Sequence, residues 1–187
     1  MNEVRLMASN HQSDFAMKTK ILLAALLVSA SATFAAMPQP GDSAPPFAGQ
    51  DQDGKTIQLA DFAGKTNVLL YFYPKDNTPG CTKEACGLRD RLGELSTNNV
   101  AVIGVSFDSA ASHQKFIEQF HLNFPLLADT NGIIVKAYDV KMPVMNMAKR
   151  VSFLIGKDGK IIHVTDAMNP QKHFEEMQVA IAGLKPN

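Results

Sequence analysis

The sequence predicts an α/β domain in which a mixed central sheet carries helices on both faces. Three observations lead there. Two almost wholly apolar runs, Val68-Leu69-Leu70-Tyr71-Phe72 and Val100-Ala101-Val102-Ile103-Gly104-Val105, read as buried strands. A segment with helical spacing follows each run, so the two strands are expected to lie parallel, joined by a right-handed crossover. Two Asp-Gly pairs, Asp53-Gly54 and Asp158-Gly159, each sit between strand-like runs and mark hairpin turns.

Each element has its own signal. Pro38 to Pro46 is a proline-rich lead-in. Residues 47–49 and 56–59 flank the first turn, and Asn67 to Tyr73 form the central strand. Thr82 to Leu95 predicts a helix, with Leu88, Leu92 and Leu95 at helical spacing. After the strand at 100–105, Ser112 is the expected cap of a helix whose apolar face carries Phe116, Ile117 and Phe120. Ile133, Ile134 and Ala137 suggest a short helix. Val151 to Ile155 and Lys160 to Val164 flank the second turn. Asn169-Pro170 opens the last helix as cap and first position, and Phe174, Met177, Ile181 and Leu184 repeat along one face. The order is hairpin, β-α-β-α, β-β, α, which is a thioredoxin-like plan.

The chain has 187 residues, of which 45% are hydrophobic and 19% charged, enough for one domain with a full core. Basic and acidic residues balance at 18 each, so there is no electrostatic footprint for nucleic acid. The first 36 residues have another character. Lys18 and Lys20 precede the apolar run Ile21 to Val28, and small residues follow up to Ala36. A basic start, a short apolar stretch and a small-residue end make a secretory signal peptide, and the run is short for a membrane span. Residues 1–36 are therefore assigned to the signal peptide with a possible upstream extension before Met17, and 37–187 to the folded domain. Cleavage is expected after Ala32 or Ala35, giving an exported, periplasmic protein with no stable membrane association.

The chemistry centres on the two cysteines, Cys81 and Cys86, where an apolar strand gives way to a helix. Backbone N–H groups point outward at such a junction and favour the thiolate, the reactive form. In a regular helix the two Cα atoms would lie about 8–9 Å apart, beyond the roughly 7 Å that a disulfide spans. A bridge between them requires local unwinding, which argues against a static staple. A permanent disulfide, a metal site and a thioredoxin-type exchange site remain the alternatives. Two sulfurs without flanking ligands make a poor metal site, and exchange sites normally use Cys-x-x-Cys.

These residues carry a resemblance. Pro74-x-x-x-Thr78-x-x-Cys81 resembles the peroxiredoxin active-site pattern, and Cys86 resembles the resolving cysteine of the Q-type subfamily, also called bacterioferritin comigratory protein. Gly41-Asp42-x-Ala44-Pro45-x-Phe47 is similar to that subfamily's opening segment, and Arg150 stands where it places an active-site arginine. The resemblance spans roughly residues 38–185. It implies a thiol peroxidase that reduces hydrogen peroxide and organic hydroperoxides without a cofactor. It implies Cys81 as the peroxidatic residue, oxidised to sulfenic acid, and Cys86 as the residue that closes a disulfide with it. Arg150 would stabilise the thiolate and polarise the peroxide, Thr78 would orient both, and Pro74 would shape and shield the loop. The implied partners are a hydroperoxide and an external dithiol reductant of thioredoxin-like kind, and the implied state is a monomer. Other readings are a thiol–disulfide oxidoreductase and a copper-binding protein of thioredoxin fold. The last rests on Met142, Met145 and Met147, whose thioethers suit Cu(I) but also suit packing near an active site.

Overall fold

The computed structural model describes residues 36–97 and 99–184. The segment read as a signal peptide lies almost entirely outside them. Among the described residues, seven strands and five helices follow in the order β1 (Ala48–Gln50), β2 (Thr56–Gln58), β3 (Asn67–Phe72), α1 (Pro79–Asp90), α2 (Leu92–Thr97), β4 (Val100–Ser106), α3 (Ala110–Phe120), β5 (Leu126–Ala128), α4 (Ile133–Ala137), β6 (Val151–Ile155), β7 (Ile161–Thr165) and α5 (Pro170–Ala182). A 3-10 turn, Leu59–Phe62, follows β2.

Strands β1 and β2 form a separate antiparallel hairpin, and the other five make a sheet ordered β5-β4-β3-β6-β7. Its first three strands run parallel, and β6 and β7 are antiparallel. The apolar run at 68–72 is thus the middle strand, as its composition required, because a strand flanked on both sides and covered on both faces has no polar surface. Successive side chains of β3 point to opposite faces. Val68, Leu70 and Phe72 enter one core with Phe153, Tyr138, Val135 and Phe47. Leu69, Tyr71 and Tyr73 enter the other with Cys81, Leu88, Phe116, Met177 and Ile181. Helices α1, α3 and α5 cover this second face, and α4 with the β1–β2 hairpin covers the first.

The turn and cap signals act as expected at both hairpins and at the last helix. Gly54 and Gly159 adopt φ of 77° at the two turns, a conformation that suits glycine. The Asn169 side chain accepts from the backbone N–H groups of Gln171 and Lys172, and Pro170 is the first helical residue. Three expectations need correction. The helix read from Thr82 to Leu95 begins at Pro79 and breaks at Arg91 into α1 and α2. A proline at the first helical position loses no hydrogen bond, so Pro79 starts the helix that a Thr82 boundary would have cut short. The cap of α3 is Ser109, whose hydroxyl accepts from the N–H of Ser112, so Ser112 lies inside the first turn. The edge strand β5 was absent from the sequence reading. Three residues show no periodicity, and their strand state comes from pairing with Gly104, Val105 and Ser106 of β4.

Candidate active site

Strand β3 ends at Phe72, and the chain turns through Pro74 to Thr78 before entering α1. Asn77 takes the left-handed conformation at φ 56°, which asparagine tolerates better than most residues. Thr78 follows in an extended conformation (φ −89°, ψ 145°) as the backbone N-cap. Its hydroxyl does not cap the helix but turns back to donate to the Lys75 carbonyl at 3.0 Å. Pro74 is half-buried at the start of this turn.

Cys81 falls in the first turn of α1 and is buried, 2% exposed. Arg150, immediately before β6, reaches across from the antiparallel side of the sheet. Its Nη2 donates to Cys81 Sγ at 3.3 Å, and its Nη1 donates to Glu84 Oε2. The Arg150 side chain is 9% exposed and engaged at both ends. Cys86 lies further along the same helix, half-buried, and both thiols are free. The structure thus joins Cys81 to Arg150 directly, and places Pro74, Thr78 and Cys86 on the loop and helix around them.

Glu84, one turn after Cys81, is drawn into the same site. Its side chain has no exposure, and burial pushes its carboxyl up to about 7 against the opposing pull of Arg150. Oε1 has no hydrogen-bond partner. His173 Nε2, on α5 and fully buried, lies 3.5 Å from this oxygen. His173 Nδ1 faces the Ala167 carbonyl at 3.2 Å, so that nitrogen carries the hydrogen and Nε2 accepts from the Ser152 hydroxyl at 2.9 Å. Burial holds this imidazole down to about 4, so it is neutral at ordinary pH. The sequence held a usable signal for Glu84. It lies three residues after Cys81 and four before Leu88, on the same buried stripe of α1.

His113 on α3 is buried as well, at 0% exposure, against Asp76 and Leu127. Its neighbour at helical spacing, the buried Phe116, marked the face. The methionine segment is different again. Val144 is 95% and Met145 50% exposed, and the N–H of Met142 donates to the Met147 carbonyl at 2.9 Å to close the loop at its base. The loop tip, residues 143–146, therefore stands in solvent and fills no core. Among the described residues no cluster of three His, Cys, Asp or Glu side chains could hold a metal ion.

A buried cysteine at a helix N-terminus, held by an arginine from a neighbouring strand of a thioredoxin-like sheet, defines a thiol-based redox enzyme. The AhpC/TSA family model matches residues 40–164. Peroxiredoxin Bcp of Escherichia coli K12 is 44% identical over 72% of this chain and 90% of its own length. Among solved structures, Peroxidoxin BcpB of Mycobacterium tuberculosis superposes with a TM-score of 0.74 at 30% identity, covering 79% of this chain and 99% of that one. The bacterioferritin comigratory protein of Xanthomonas campestris, described with alkyl peroxide reduction activity, gives a TM-score of 0.70 at 27% identity over 81% and 99% of the two chains. The chain belongs to the AhpC/TSA family, within its Q/Bcp peroxiredoxins, which are thiol-dependent peroxidases.

Proposed function

We propose that Cys81 is the peroxidatic residue and that Cys86 resolves it, with hydrogen peroxide and alkyl hydroperoxides as substrates. The observation that carries this reading is the 3.3 Å hydrogen bond from Arg150 Nη2 to Cys81 Sγ at the start of α1. A guanidinium and a helix N-terminus on one sulfur favour the anionic nucleophile. The thiolate attacks the terminal peroxide oxygen; an S–O bond forms, the O–O bond breaks, and the alkoxide or hydroxide leaves to take a proton as alcohol or water. Arg150 faces the oxygens where charge develops and can stabilise them without reorienting. Thr78 donates to Lys75, so its oxygen keeps lone pairs for a peroxide O–H. Pro74 walls the loop.

Cys86 as thiolate then attacks the sulfenic sulfur and expels hydroxide, leaving a Cys81–Cys86 disulfide that an external dithiol reduces by exchange. Every residue in this cycle comes from one chain, so a monomer suffices. Alkyl peroxide reduction by the Xanthomonas relative supports the organic substrate class. Mass spectrometry after one equivalent of peroxide tests the cycle. A loss of two hydrogens with a Cys81–Cys86 linked peptide is expected, and peroxide consumption at full rate by Cys81→Ser would overturn it.

The same reading places the enzyme outside the cytoplasm, in the periplasm, because residues 1–36 have the charge and apolar pattern of an export signal. Its reductant is then an exported dithiol protein of thioredoxin-like kind. Fractionation and N-terminal sequencing test the address. A mature chain beginning after Ala32 or Ala35 is expected, and an unprocessed chain confined to the cytoplasm would refute it.

A further inference from the structure

The loop that delivers Cys81 to Arg150 is fastened by a buried polar network that the peroxide chemistry itself does not use. Asp76 lies in that loop and is 5% exposed. Its Oδ1 accepts from the Tyr73 hydroxyl at 2.8 Å, and its Oδ2 accepts from the Ser112 hydroxyl at 2.7 Å. Oδ2 also lies 2.9 Å from His113 Nδ1. The Asp76 backbone N–H donates to Asp108 Oδ2 at 3.0 Å, and the Ser106 hydroxyl donates to the same oxygen at 2.8 Å. The other nitrogen of the His113 ring, Nε2, is 3.2 Å from the Leu127 carbonyl of β5.

These contacts locate one ring proton. A carbonyl oxygen can only accept, so Nε2 carries hydrogen. Nδ1 faces the Asp76 oxygen that also holds the Ser112 hydroxyl. The Tyr73 hydroxyl, 3.4 Å from Nδ1, is directed at Asp76 Oδ1. His113 and Asp76 thus form a buried polar pair, and neither side chain is more than 2% exposed. Such a pair is a weak source of stability, because apolar residues of similar volume usually serve as well. What it supplies is direction. One point ties the active-site loop to α3 and β5, while Asp108 ties the same loop to the end of β4.

We propose that the buried Asp76–His113 pair is a positioning device for the peroxidase reaction, fixing the Pro74–Thr78 loop so that Cys81 meets Arg150. The proposal rests on the peroxidase reading above. Thr78 and the first turn of α1 continue directly from Asp76, so a displaced loop moves the sulfur away from the guanidinium.

Two measurements test it. In reduced protein labelled with nitrogen-15 histidine, the His113 Nε2 hydrogen held by the Leu127 carbonyl should be seen by NMR in slow exchange with water, and equally so in Cys81→Ser. This arm is independent of peroxidase activity, so a failure of the pair is distinguishable from a failure of the peroxidase assignment. Next, Asp76→Ala, His113→Leu and the double variant are compared for thermal midpoint and for the rate of Cys81 oxidation by hydrogen peroxide. Each single variant strands a buried polar partner and lowers both. The double variant removes the two facing side chains together, leaving only the neutral Tyr73 and Ser112 hydroxyls and the Leu127 carbonyl without these partners. Its thermal midpoint should recover toward the parent value while its oxidation rate stays about tenfold or more below it, the size of effect that small misplacements produce. A double variant that recovers the full rate along with stability would overturn the proposal, as would a His113 ring hydrogen that exchanges as fast as that of an exposed histidine.

Discussion

Arg150 joins two residues of one helical turn: Nη2 donates to Cys81 Sγ at 3.3 Å while Nη1 donates to Glu84 Oε2. The planar fork serves both acceptors at once, so the carboxylate sets the angle at which the guanidinium meets the sulfur. The base immediately before β6 is thereby locked to the first two turns of α1.

Arg150→Lys should lower the second-order rate of Cys81 oxidation by about a hundredfold, the cost typical of losing one preorganised donor at a developing oxyanion. A lysine ammonium is a single point charge and cannot span sulfur and carboxylate with a fixed geometry. Stopped-flow measurement of sulfenic acid formation decides it. A rate within twofold of the parent would show that charge alone suffices.

Glu84 should make the folded protein less stable as pH rises. Its carboxyl titrates near 4.5 when unfolded and at about 7 in the fold, because burial disfavours the anion. Between those values the folded protein keeps a proton that the unfolded chain has released. The favourable contribution is therefore full below pH 4.5 and lost as pH rises through about 7. Glu84→Gln carries no such proton. Its thermal midpoint relative to the parent should climb between mildly acidic and mildly alkaline buffer, and a constant difference would contradict the assignment.

His173 should act in the opposite direction. It titrates near 6.5 when unfolded and at about 4 in the fold, where burial disfavours the imidazolium. Within that window the unfolded chain binds a proton that the fold excludes, so stability is present above pH 6.5 and lost as pH falls toward about 4. His173→Gln should gain on the parent as buffers are acidified. Midpoints that shift in parallel across the series would exclude the effect. From pH 4.5 to 6.5 the two trends oppose each other, so each shows clearly only when the other residue is intact and its own variant is compared with the parent.

The distinction between what the sequence discloses and what it hides follows the range of the forces. Asn169-Pro170, Asp53-Gly54 and Asp158-Gly159 act through their own backbone, so helix start and turns were legible. The continuous apolar run of β3 and the helical spacing of Leu88 and Phe116 were legible from local pattern as well. Glu84 and His113 gave less away, because a polar side chain on a helix is ordinarily solvated. Their partners, Arg150 and His173 for one and Asp76 and Leu127 for the other, arrive from distant segments that only the sheet brings together. The cysteine motif named Cys81 and Arg150, but the carboxylate between them had to be seen.

Closing the Cys81–Cys86 disulfide should unwind part of α1. Both residues lie within the continuous helix Pro79–Asp90, and both thiols are free. Regular helix geometry puts their Cα atoms about 8–9 Å apart, against roughly 7 Å or less for a bridge. Cys81 is buried among Tyr71, Leu88 and Phe116 on one face of the sheet, so the sulfur must leave that packing to reach its partner. The network around Asp76 lies outside the helix and holds the preceding loop, which confines the unwinding to residues after Thr78. Amide hydrogen exchange should therefore accelerate between Cys81 and Asp90 in the oxidised protein, by tenfold or more, while β3 and β6 keep their protection. The Cys86→Ser variant treated with peroxide should retain the slow exchange of the reduced protein. Equal protection of α1 in reduced and disulfide forms would mean that the bridge closes without unwinding, and the two-conformation cycle would have to be abandoned.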